Sequence, residues 1–278
     1  MKRKIFFISG IVLILTAGIG ILLYPYISNF IEQHNRELEI VEYDNSIQEM
    51  AQESLSEEWR IAEEYNSSHS VWRGADAFSG GNFETLPEEY LSALNVDGTM
   101  GYLSIPKINV HLPIRHGTSD DVLENSVGHL ARSSLPIGGS GSHAVLTGHT
   151  GLPSAVLFTN LDKLAVGDSF TLHILDRVLS YEVDNIDIVL PENADSLHPV
   201  SGEDYVTLIT CTPYGVNSHR LLVRGTRIET PETEKPSSIS PPRGSLLPAL
   251  WLIVPLIPVV IFLILIIRRR RKGKNAAK

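Results

Sequence analysis

Val206-Thr207-Leu208-Ile209-Thr210-Cys211-Thr212-Pro213-Tyr214-Gly215-Val216-Asn217-Ser218-His219-Arg220-Leu221-Leu222-Val223-Arg224-Gly225 is a strand, a turn and a second strand in one stretch. The apolar, β-branched run up to Thr210 favours a pleated conformation. Pro213 and Gly215 turn the chain. Alternation resumes from Arg220. Cys211 therefore falls at a strand end, where a rigid scaffold displays reactive groups. It is the single cysteine of 278 residues, so an intrachain disulfide and a multi-thiolate zinc site are both excluded. A lone thiol is either an inert core residue or a nucleophile.

Outward from this hairpin, Gly101 to Arg227 is a succession of short strand patterns. Tyr102 to Ile105, Val110 to Ile114, Ala144 to Leu146, Ser169 to Leu175, Leu179 to Val183, Ile186 to Val189, Val206 to Thr210 and Arg220 to Gly225 are the candidates. Val166-Gly167-Asp168 and Asp184-Asn185 punctuate them as turns. Many short strands so separated predict a mostly β domain, a closed barrel or a sandwich. Before it, Asn29 to about Tyr65 has helical spacing: Ile40, Tyr43, Ile47 and Met50, then Ala51, Leu55, Trp59 and Ala62. Asn66 to Gly81 is rich in Ser, Gly and Asn and predicts a loop. Past the hairpin, Ile228 to Ser245 carries Pro231, Pro236, Pro241 and Pro242, the composition of a semi-extended linker.

Both ends predict membrane spans. Ile5 to Ile27 is apolar after Lys2, Arg3 and Lys4, and long enough to cross a bilayer core. It has no Ala-x-Ala site of the kind that ends a cleaved leader. Leu246 to Ile267 is a second apolar run, followed at once by Arg268 to Arg271 and Lys272. Basic blocks beside spans stay cytoplasmic, so both termini are expected inside and the middle outside. The net charge is -9, but the basic residues concentrate at the two ends and leave the middle strongly acidic. Such a surface argues against nucleic-acid binding.

A cysteine nucleophile needs a base or positive neighbour to reach its thiolate form, and a donor for the oxyanion it creates. Leu146-Thr147-Gly148-His149-Thr150-Gly151 supplies His149 at another strand end. A hairpin after Cys211 would bring Arg220 beside it. His143 and His219 are rival bases. Arg224 shares strand parity with Arg220, so alternation does not choose between them.

The segment Thr207 to Gly225 resembles the active-site segment of class C sortases, the pilin-polymerising enzymes of Gram-positive bacteria. Leu146 to Pro153 resembles their histidine motif. Gly101 to Ile108, and Gly128-His129-Leu130 followed by Ser134-Leu135-Pro136, also fit, so the likeness runs in order from about Gly101 to Arg227. It implies an eight-stranded sortase β-barrel with N-terminal helices, flanked by two transmembrane helices. Cys211 would attack the Thr-Gly bond of an LPXTG-type sorting signal and form a thioester. His149 would move protons, and Arg220 would stabilise the oxyanion. The acceptor would be a pilin lysine amine, with a peptidoglycan precursor amine as the wall-anchoring alternative. A non-catalytic extracellular binding module is a further alternative. No metal or organic cofactor is implied.

The resemblance also implies a lid before the barrel. Asp76-Ala77-Phe78 stands where an Asp-Pro-aromatic motif is expected. Asp76 would pair with the site arginine and Phe78 would cover Cys211, with Trp72 a rival plug. Ala77 departs from the proline. The expected organisation is a basic N-terminus (1–4), an anchor (5–27), an extracellular helical segment (28–65), a lid loop (66–84) and the catalytic barrel (85–228). A linker (229–245), a second span (246–267) and a basic cytoplasmic tail (268–278) follow.

Overall fold

A computed structural model describes residues 2–68, 86–193 and 195–230. The sequence-level expectations for Asp76, Phe78, Trp72, the linker beyond residue 230, the second span and the basic tail lie outside the described residues.

One helix, α1 (Lys2–Glu49), runs from the apolar stretch expected as an anchor into the helical segment that follows it. Its first part is long and apolar enough to cross a membrane. Ile14, Leu15, Ile21 and Leu22 are exposed along it, and Pro25 lies within it. The chain divides within this helix, with the residues up to Ile31 in one unit and Glu32–Pro241 in the other.

In the second unit α1 buries Ile40, Tyr43 and Ile47, the helical stripe expected of an amphipathic segment. The expected single helical stretch is two helices. The helix stops at Glu49, and α2 (Gln52–Ser68) starts after Met50 and Ala51 and runs three residues past Tyr65. The extension has a local cause. The hydroxyls of Ser67 and Ser68 donate to the carbonyl of Glu64 at 2.8 Å each, closing the last turn. Leu55, Trp59, Ala62 and Tyr65 form the buried stripe of α2. Trp59 donates its indole N–H to Asp176 at 2.8 Å, and the Arg177 guanidinium sits 3.9 Å over its ring. A short helix α3 (Glu88–Ser92) leads into the barrel.

Eight strands close the barrel: β1 (Gly101–Ile105), β2 (Val110–His116), β3 (Val127–His129), β4 (Ser142–Thr147), β5 (Ser169–Ile174), β6 (Arg177–Val189), β7 (Asp204–Thr212) and β8 (His219–Ile228). A single-turn helix, α4 (Asp120–Leu123), bridges β2 and β3. The order around the barrel is β1-β2-β3-β4-β7-β8-β6-β5. β2–β3 and β4–β7 are parallel and the remaining pairs antiparallel. Closure leaves no unpaired edge.

The interior takes alternate residues, among them Ala144 and Leu146, Val206 and Leu208, Leu221 and Val223, with Phe170 stacked on Tyr181. A Cβ on Gly225 would lie 2.6 Å from the Phe170 ring, so only glycine fits there. Leu130, Val145, Leu197, Ile209 and Leu222 pack on the opposite face of β4, β7 and β8. That wall is therefore buried on both faces, which makes it a stiff platform.

Two strand readings change. Leu179–Val183 and Ile186–Val189 are not separate strands turned at Asp184-Asn185. They form one strand with a register shift between Val183 and Asn185. Asp and Asn are turn formers, and here they serve a bulge. β3 was not among the candidate strands. At three residues, one of them glycine, it is too short to show alternation.

Candidate active site

The β7–β8 ladder sets Cys211 directly across from Arg220. Residues so opposed have Cβ atoms about 4.5–5.5 Å apart and share one face. β7 extends one residue beyond Cys211, to Thr212, so the thiol lies inside the last paired stretch and is half-buried. The Arg220 guanidinium donates to the carbonyls of Asn217 and His219 at 3.2 Å each. Asn217, in the left-handed region at φ 58°, closes the turn by donating its N–H to the Pro213 carbonyl at 2.9 Å.

His149 arrives from β4, which runs parallel to β7 with Val145 beside Thr207 and Thr147 beside Ile209. The Gly148 N–H donates to the Ile209 carbonyl at 3.1 Å and carries the ladder one residue further. His149 then continues the row beside Cys211. The Thr210 hydroxyl donates to the Gly148 carbonyl at 2.7 Å, and the Phe158 N–H donates to the His149 carbonyl at 3.1 Å. A Cβ at Gly148 would lie 2.7 Å from the Phe158 ring, so the close approach that seats this loop requires glycine. Three strands thus bring Cys211, His149 and Arg220 to one end of one face. Partial burial lowers the His149 pKa, and the carboxylates of Asp120 and Glu124 oppose that shift.

The alternatives left open by the sequence separate here. Arg224 lies on the same face but opposite Thr207, four residues along β7 from Cys211 and so about 13 Å away. It makes a bidentate pair with Asp184 at 2.8 and 3.0 Å and covers the Tyr205 ring. His143 is at that same far end, its Nε2 2.7 Å from the Thr207 hydroxyl and its Nδ1 3.2 Å from the His198 carbonyl. Burial depresses its pKa to about 4. His219 pairs with Thr212 and alternates away from Arg220.

Asp120 and Glu124 were not singled out from sequence. Their spacing of four was visible, but nothing in the chain tied residue 120 to residue 149. Among the described residues no group of three or more His, Cys, Asp and Glu side chains is arranged to hold a metal ion.

A profile of the sortase domain matches residues 103–228. The chain is similar to sortase C of Streptococcus pneumoniae, with 44% identity, TM-score 0.64, and 69% of this chain and 96% of that one covered. It is similar to sortase C-1 of Actinomyces oris, with 47% identity, TM-score 0.62, and 64% and 99% covered. Sortase A of Bacillus anthracis is 28% identical over 145 residues, 52% of this chain and 67% of that protein.

Proposed function

Because this chain belongs to the sortase family of cysteine transpeptidases, we propose that it is a pilus-assembling class C enzyme acting through Cys211, His149 and Arg220. Its structural relatives include a sortase C described for pilin substrate specificity and a pilus-related sortase C of group B Streptococcus.

The Cys211 thiolate attacks the threonine carbonyl of an LPXTG-type signal. Arg220, opposite Cys211 on β8, would donate to the oxyanion of the tetrahedral intermediate. The His149 imidazolium gives its proton to the departing glycine amine, leaving a thioester on Cys211 and a neutral imidazole. A pilin lysine amine then attacks the thioester and His149 takes up a proton. The C–S electron pair returns to sulfur as the isopeptide bond forms. Thioester aminolysis competes with hydrolysis, so a site with restricted water favours transfer. The α1 anchor would hold this chemistry at the cell surface.

The observation that carries this reading is the shared row: Cys211 and Arg220 are register partners, and His149 follows Thr147 on the adjacent parallel strand. Intact-mass spectrometry after exposure to an LPXTG peptide tests it. The expected product is a Cys211 adduct ending at threonine. No adduct, or one at another residue, removes the reading. Incubation with a purified pilin should then yield a ladder of covalent oligomers.

A further inference from the structure

Resting on that reading, we propose that Thr159 is a positioning residue for His149, its hydroxyl pinning the loop that carries the imidazole to the row of Cys211 and Arg220. β4 ends at Thr147, and Gly148 makes the last bond to β7, so His149 stands just beyond the ladder. A group that moves protons has to be held within about half an ångström of its productive place. Barrel pairing alone does not reach far enough to do this.

The loop after His149 supplies the hold by closing on itself. Phe158 donates its N–H to the His149 carbonyl at 3.1 Å, and Gly151 donates its N–H to the Thr159 hydroxyl at 3.1 Å. Two consecutive residues on the returning limb thus fasten His149 and the residue two beyond it. The returning limb is itself firm. The Thr159 N–H donates to the Val156 carbonyl at 2.8 Å, and the Leu161 N–H to the Phe158 carbonyl at 3.0 Å. Leu157, Phe158 and Leu161 are buried in the main core. Leu157 is held at φ 37°, a left-handed conformation that leucine rarely adopts. Such residues persist only where their surroundings over-determine them, and they collect at functional sites.

On the other side of His149 the Thr210 hydroxyl donates to the Gly148 carbonyl at 2.7 Å. The backbone before and after the imidazole is therefore fixed by one threonine hydroxyl each, one donating and the other accepting. Gly151 itself sits at φ 78°, and a Cβ there would lie 3.1 Å from the Tyr214 ring. The far end of the loop thus abuts the turn that follows Cys211. Packing does not supply the Thr159 bond. The residue is half-buried, and a valine of the same shape would fill its space without accepting the Gly151 N–H. Released from that bond, the Gly151 end of the loop moves and the imidazole moves with it. Partial burial holds the His149 pKa down against the pull of Asp120 and Glu124. A loosened loop admits water and lets it rise toward the ordinary histidine value.

The test uses the full chain in detergent micelles with an LPXTG peptide, and compares the parent protein with Thr159→Val and Thr159→Ser. Thr159→Val should lower kcat for release of the glycine fragment about tenfold, with KM for the peptide within about twofold, because a misplaced proton carrier slows the chemical step. Its His149 imidazole, followed by NMR and identified with a His149→Gln variant, should titrate at higher pH than in the parent. Thr159→Ser keeps the hydroxyl and should restore both quantities. Should Thr159→Val fail to fold, as judged by Tm, Thr159→Ala reads the same two quantities. An unchanged kcat, a loss confined to KM, an unmoved His149 titration, or a serine variant as impaired as the valine one would each overturn the proposal. Absence of any thioester in the parent protein would instead sink the Cys211 reading on which the proposal rests.

Discussion

The β4–β7–β8 face carries two similar constellations, one at each end. One end has His143, Thr207 and Arg224, and the other has His149, Cys211 and Arg220. They share a wall, a row and two of three residue types. At the first end the chemistry is used up. Arg224 is committed to Asp184, His143 is held between Thr207 and His198, and burial keeps its imidazole neutral. At the second end the wall runs out, β4 gives way to a loop, and the thiol is half-buried. A histidine and an arginine on one face are therefore not a site in themselves. Where the ladder stops decides whether they close a packing problem or meet a substrate.

The sharpest break of this comparison is Cys211→Ala. It should abolish the threonine-terminated adduct and lower turnover by at least about 10^3-fold, because no other thiol exists in the chain. Thr207→Ala should leave the adduct in place. Measurable turnover in Cys211→Ala would remove the distinction between the two ends.

Arg220→Ala should lower kcat/KM by roughly 10^2–10^3-fold, the usual cost of losing an oxyanion donor, with little change in Tm. Arg220→Lys should not restore the rate, since a point charge does not reproduce the guanidinium fork. A fall in Tm with kcat/KM unchanged would assign Arg220 to packing.

The quiet end should instead report on stability. The folded-state pKa of His143 is depressed to about 4 from an ordinary value of about 6.5. The unfolded chain therefore binds the proton first as pH falls. Stability from this group is complete above about pH 6.5 and is lost as pH falls toward 4, by about 2–3 kcal/mol. Urea unfolding at pH 7 and pH 4.5 measures it. His143→Gln should flatten the dependence, and an unchanged slope would mean that other groups dominate, buried His129 with its pKa of about 3 foremost.

The smallest effect is expected from Arg224→Ala, which leaves Asp184 without its cation. A loss of about 1–2 kcal/mol should lower Tm by several degrees without changing kcat per folded molecule. If it reduced kcat like Arg220→Ala, the two ends would be one site.

Much of the Cys211–Arg220 hairpin was legible because the two residues are close in sequence and a Pro-Gly turn separates two alternating runs. The α1 and α2 stripes were legible for a similar local reason, since Ile40, Tyr43 and Ile47, then Leu55, Trp59 and Ala62, recur at helical spacing. The break at Met50–Ala51 was not, because apolar spacing runs on across it. The bulge at Asp184-Asn185 looked like a turn because those residue types serve both. β3 was invisible at three residues.

The choice among the rival bases and arginines lay outside sequence reasoning altogether. Thr147 and Ile209 are 62 positions apart, and only their parallel pairing puts His149 beside Cys211. The carboxylates of Asp120 and Glu124 act on His149 only because β2, β3 and β4 come together in that order.

By itself the amino-acid sequence determined the strand-rich domain, the apolar first helix, the single cysteine at a strand end and its neighbouring arginine, because each follows from side-chain periodicity and turn chemistry within a few residues. Tertiary structure alone decided which histidine stands beside them and which arginine is paired with Asp184 instead. Those outcomes depend on non-local strand pairing, and on how burial and hydrogen bonding change the chemistry of residue types that are otherwise the same.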